Sequence, residues 1–132
     1  MSTLISKLTS QHHRLLGILE EIKRMEFQSA DFQKANRELK MEWEAHSKVE
    51  DMHLYPELRC RAESENGLRV SLNVMAQDLD KVNLQLGDLF AKAEDPGLSK
   101  MEWVRLFARV ETMLKTRVRR EEETLYVEYD KK

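Results

Sequence analysis

Four runs of apolar residues, each returning at three- and four-residue steps, leave this chain little to fold into except amphipathic helices packed on one another. The first stripe is Ile5, Leu8, His12, Leu15, Leu19 and Ile22, on a helix expected to start near Ser2 or Thr3 and to end around Phe27. A cap at Ser29 or Asp31 opens the second, which runs through Phe32, Leu39, Trp43, His46, Glu50 and Leu54. Pro56 removes a backbone donor and crowds the carbonyl one turn back, so a kink or the end of regular hydrogen bonding is predicted there, with a frayed continuation to about Ala62. Past the polar stretch Glu63–Gly67, a third helix from about Leu68 to Ala93 carries Leu72, Met75, Leu79, Val82, Leu86 and Leu89. Asp95-Pro96-Gly97 stops it, and Ser99 with Glu102 forms a capping box for the fourth stripe, Trp103, Phe107, Val110, Leu114, Arg117, Glu121 and Leu125. Short connections between long helices make neighbours antiparallel, so the expected fold is all-α, an up-down-up-down antiparallel four-helix bundle.

The remaining composition narrows the function. A chain of 132 residues is the size of one domain with one core, expected over residues 1–132. Its 22 basic and 24 acidic residues are spread along the sequence, which gives no field suited to nucleic acid or anionic lipid. Cys60 has no partner for an intrachain disulfide, the N-terminus lacks signal-peptide character, and no apolar run has membrane-spanning length. The expectation is a cytoplasmic protein with neither nucleic acid nor membrane as partner.

The halves of the chain resemble each other. His46-Ser-Lys-Val-Glu50-Asp51-Met-His53-Leu54-Tyr55 and Arg117-Val-Arg-Arg-Glu121-Glu122-Glu-Thr-Leu125-Tyr126 agree at Glu, acid, Leu and Tyr, and differ where the first has His46 and the second Arg117. In the same register Phe32 falls on Trp103 and Leu39 on Val110. Shifting the first helix onto the third puts Leu15 on Val82, Leu19 on Leu86, Ile22 on Leu89 and His12 on Leu79. Two helical hairpins related by pseudo-symmetry are implied, with matching side chains around a common point in the core. At that point stand two carboxylates, Glu50 and Glu121, on inward-facing stripes. Burying them is costly unless a cation or hydrogen-bond donors meet them, and the candidates are a metal ion and Arg117. His46, Glu50 and His53 have the spacing to line one wall of a helix, and His12 from the neighbouring helix and Glu121 from the fourth reach the same place. Imidazole nitrogen and carboxylate oxygen suit iron, manganese or zinc.

These residues resemble the hemerythrin-like family of cation-binding bundles, whose pattern is a lone histidine in helix 1, His-x-x-x-Glu in helix 2, a lone histidine in helix 3 and His-x-x-x-Glu or Asp in helix 4. The most specific stretch is His46-x-x-x-Glu50-Asp51-x-x-Leu54-Tyr55-Pro56, and His12 in Gln-His-His-Arg-Leu-Leu-Gly-Ile-Leu fits the helix 1 signature, with His13 as a less well-phased alternative. The resemblance implies non-haem iron, His12 and His46 as ligands to one ion, Glu50 and Glu121 as bridging carboxylates, and oxygen or another small diatomic molecule as a ligand. A second ion would need ligands at Leu79 and Arg117, which cannot supply them. One ion rather than two is therefore expected, with His53 as a further candidate ligand and zinc or manganese as substitutes for iron.

Two outcomes follow for the site. In one, His12, His46, Glu50 and Glu121 keep a single metal for sensing, storing or handling oxygen or a redox signal, and Arg117 takes the place of the second ion. In the other no metal binds, Arg117 and the two carboxylates form a buried ion-pair network, and the bundle serves as a regulatory or protein-interaction module. An enzymatic role requires a substrate pocket for which the sequence gives no sign. Tyr55 and Tyr126 read as packing residues with hydroxyls near the bundle end or solvent, and Arg119 to Glu123, apart from Glu121, as a solvated helix face.

Overall fold

The computed structural model describes residues 1–131 and is built of helices throughout: α1 (Thr3–Arg24), α2 (Ala30–Val49), a single π-helical turn (Glu50–Leu54), α3 (Tyr55–Ala62), α4 (Asn66–Ala93), α5 (Lys100–Glu123) and α6 (Leu125–Asp130). The side chains of Ser2, Ser29 and Ser99 start α1, α2 and α5 by accepting from the amides of Ile5, Phe32 and Glu102, at 3.2, 3.1 and 3.2 Å. Ser99 also donates to the Glu102 carboxylate at 3.1 Å, closing the capping box. The first helix stops at Arg24, before Phe27, and α4 begins at Asn66, ahead of Leu68.

The four long segments run up, down, up and down as an antiparallel bundle. At one end the Gln28 side-chain amide donates to the Asp95 carbonyl at 3.2 Å, joining the turns of the two hairpins. At the other end the Ser2 amide donates to Asp130 at 3.2 Å and the Arg61 guanidinium donates to the Glu128 carbonyl at 2.8 Å. Among the described residues no helix is long and apolar enough to cross a membrane.

Around Pro56 the chain neither frays nor stops. The turn before it widens, the Tyr55 amide bonding to the carbonyl of Glu50, and α3 then continues as regular helix with Pro56 in its first turn, where no donor is required. Each residue of a widened turn lags behind its α-helical position. Leu54 and Tyr55 therefore come round to the core together, while His53 is turned outward and exposed. The matching point of the second hairpin is also broken: Thr124 leaves helical geometry (φ −121°, ψ −79°) between α5 and α6, and Leu125 and Tyr126 are both buried.

The core comes in two apolar parts. One gathers Leu15, Leu19, Leu39, Trp43, Val82, Leu86, Phe107 and Leu114, and the other Ile5, Leu8, Leu54, Leu58, Leu72, Met75 and Leu125. Along α1, along α2 and its π turn, and along α5, the residues that fall between these parts are His12, then His46 and Glu50, then Arg117 and Glu121, all buried. A polar layer thus crosses the bundle with apolar packing on both sides, cut off from water.

Candidate metal centre

Helix phase alone delivers four ligand-type side chains to this layer. His12, His46, Glu50 and Glu121 are buried, and one ligand atom from each lies within 4.8 Å of all the others. His12 Nε2 is 3.1 Å from His46 Nε2 and 3.1 Å from Glu121 Oε1, and His46 Nε2 is 3.4 Å from Glu50 Oε2. His13 is exposed. The wall expected from His46, Glu50 and His53 keeps only its first two members, because the π turn after Glu50 points His53 into solvent, away from the cluster.

Both imidazoles are held from behind. His12 Nδ1 is 2.7 Å from a carboxylate oxygen of Glu122, and His46 Nδ1 is 2.8 Å from Gln11 Oε1. Those oxygens accept, so each Nδ1 carries a hydrogen, and a neutral ring turns its Nε2 lone pair towards the centre. The tyrosine hydroxyls lie in the same layer rather than at the bundle end. Each reaches across to the other hairpin: Tyr126 donates to Glu50 Oε2 at 2.7 Å and stands 3.1 Å from His12 Nε2, and Tyr55 lies 3.5 Å from Glu121 Oε2.

The second half of the layer holds a guanidinium. Arg117 donates through Nη2 to the Tyr55 hydroxyl at 2.6 Å and to Glu121 Oε2 at 3.3 Å, and through Nη1 to the Met75 carbonyl at 2.6 Å and to Asp78 at 3.4 Å; only its Nε is left without a partner. Glu121 is thereby divided, one oxygen facing the histidines and the other facing Arg117. Burial disfavours charge on Arg117, but Glu121, Tyr55 and Glu50 outweigh it and raise its pKa. Leu79, at the pseudo-symmetric position to His12, is half-buried and only packs.

An electrostatic consequence follows. Towards the histidine side the layer presents two imidazole lone pairs and two carboxylates, and Tyr126 brings the one O–H aimed among them. Such a surplus of acceptors in an apolar enclosure has to be met by protons or by a cation. In the metal-free protein protons meet it. Burial and then the charge of Glu121 push the Glu50 carboxyl up to about 7. Burial works against charge on His46, yet its bonds to Glu121 and Glu50 prevail and push it up to about 9. Burial likewise works against Glu121, but its hydrogen bonds with His12, His46 and Glu50 and the charge of Arg117 hold it well below the usual carboxylate range. Burial, and then Glu121 and Glu50, push both phenols far up.

These shifts set the pH dependence of the metal-free fold. Unfolded, Glu50 and His46 lose their protons near 4.5 and 6.5; folded, they keep them to about 7 and 9. The folded chain binds more protons across that window, so stability falls as pH rises through it. Glu121 has the opposite sign: its contribution is present above 4.5 and is lost as pH falls through its lowered pKa. Urea denaturation of the metal-free protein is expected to show stability lower at about pH 9 than at about pH 5 by on the order of a few kcal/mol, and the difference is expected to shrink in Glu50→Gln.

Gln11, Glu122, Asp78 and the two hydroxyls were not evident as site residues from helical periodicity. The signal available for the tyrosines was the repeated Glu-x-x-x-x-Tyr spacing, a step that brings both residues inward only across a widened or broken turn.

Comparison with known proteins agrees with this arrangement. The Hemerythrin HHE cation binding domain family matches residues 3–129. No curated protein and no solved structure gives a significant match. With the family matching almost the whole sequence, and a buried histidine and glutamate cluster at the heart of an antiparallel four-helix bundle, the chain belongs to the hemerythrin HHE cation-binding domain family.

Proposed function

We propose that this protein binds one non-haem metal ion at His12, His46, Glu50 and Glu121, iron ahead of zinc or manganese, and uses it in sensing, storing or handling oxygen or another redox signal. The observation that carries the reading is the surplus of buried acceptors on the histidine side, a donor set of two nitrogens and two carboxylates that fits a first-row cation. Bound there, iron would supply a one-electron redox couple and affinity for a small diatomic ligand. The chain's own residues do the rest: Glu122 and Gln11 fix the imidazole tautomers, the apolar layers exclude water, and Arg117 fills the place of a second cation.

Protein purified without oxygen and titrated with ferrous ion, zinc or manganese is expected to take up about one ion per chain. At free metal ~100-fold above Kd it should gain about 2.7 kcal/mol of stability. Affinity should rise with pH, because protons on His46 and Glu50 must leave. Glu122→Ala, which frees the back of His12, is expected to weaken binding by about 10- to 100-fold, as read by competition with a chelator. The competing reading, a metal-free regulatory or interaction module, is supported by how fully the Arg117 nitrogens Nη1 and Nη2 are paired. Uptake of no metal, with unchanged thermal stability, would select it.

A further inference from the structure

We infer that the hydroxyl oxygen of Tyr126 is a fifth donor to the ion, which makes the site two histidines, two carboxylates and a phenolate. The inference rests on the four-ligand reading above and extends it to a residue outside the histidine and acidic pattern of the family. Tyr126 oxygen is 2.7 Å from Glu50 Oε2 and 3.1 Å from His12 Nε2, as close to these ligand atoms as His12 Nε2 is to His46 Nε2 at 3.1 Å. It therefore lies within the ligand cluster rather than behind it. The ring is fixed there, stacked on the His12 imidazole with centroids 5.3 Å apart and planes 11° from parallel.

The pseudo-symmetry supplies an internal template. In the other half of the layer the cation is the Arg117 guanidinium, and Tyr55, the counterpart of Tyr126, turns its oxygen onto it at 2.6 Å while approaching Glu121. Tyr126 stands in the same relation to Glu50 and to the place between the histidines. On coordination a metal–oxygen bond replaces the O–H bond of Tyr126 and the proton leaves to solvent. No electron changes hands in that step.

The full chain, loaded anaerobically with one equivalent of ferrous ion and then oxidised with ferricyanide, is expected to show a broad visible phenolate-to-iron charge-transfer band. That band should vanish in Tyr126→Phe and persist in Tyr129→Phe, whose ring lies outside the layer. Resonance Raman excitation within the band of the unaltered protein should enhance phenolate ring modes, a readout independent of how well the variant folds. Iron bound at one per chain without the band, or a band that survives Tyr126→Phe, overturns Tyr126 as a donor and leaves the four-ligand reading standing. Failure to bind iron at all overturns the four-ligand reading itself, and this inference with it.

Discussion

Arg117→Leu should destabilise the metal-free bundle by about 3 to 5 kcal/mol, the usual cost of removing one partner from a buried, hydrogen-bonded charge pair. Leucine takes the guanidinium from Glu121 Oε2, the Tyr55 hydroxyl and the Met75 carbonyl, and leaves the buried Glu121 charge with only the long 3.5 Å bond from Tyr55 on that oxygen. Urea denaturation read by helical circular dichroism measures the loss; a change below about 1 kcal/mol would mean that the guanidinium does not neutralise the layer. Arg117→His makes a sharper comparison. It removes the same charge but installs the ligand type that helix 4 of the family carries, so its stability should recover on adding iron. Combined with Leu79→His, it should raise the iron content from one ion per chain towards two.

His46→Ala carries the second large effect, expected to weaken metal binding by on the order of 100-fold. A structural zinc held by four ligands is worth roughly 10 to 16 kcal/mol, so one ligand accounts for about 3 kcal/mol, or about two decades in Kd. His46 is the more telling of the two histidines because it contacts both carboxylates, at 3.4 Å from Glu50 and 3.9 Å from Glu121. His53→Ala is the matched control. Its imidazole is exposed on the outer side of the π turn, so binding should be unchanged.

That contrast shows where helical periodicity stops being informative. Apolar spacing and the serine caps located all four long helices, and the phase of each stripe placed His12, His46, Glu50, Arg117 and Glu121 in the core, where the structure has them. The likeness of the two halves anticipated the paired geometry of Glu50 with Glu121. Periodicity assumes a constant turn, however, and the chain widens one turn before Pro56 and breaks another at Thr124. Those two departures turn His53 outward and bring Tyr55 and Tyr126 inward, opposite to a regular-helix reading. Periodicity does not mark Glu122 and Gln11, for a different reason. Each sits at the edge of its helix face, next to a buried neighbour, and acts by the reach of its side chain, 2.7 Å to His12 and 2.8 Å to His46.

Arg117 also gives the departure from the family pattern a physical meaning. On the proposed reading the fold keeps two cation places related by pseudo-symmetry, and in one the protein supplies its own permanent positive charge. A guanidinium cannot change oxidation state or leave, so any metal chemistry is confined to the histidine side.

The most direct test is anomalous scattering at the iron edge from crystals grown with ferrous ion under anaerobic conditions. The account predicts a single peak among His12, His46, Glu50 and Glu121, with the Arg117 side chain still bonded to Glu121 and Tyr55. Two peaks, one of them displacing the guanidinium, or no peak at all in protein saturated with iron, would contradict it.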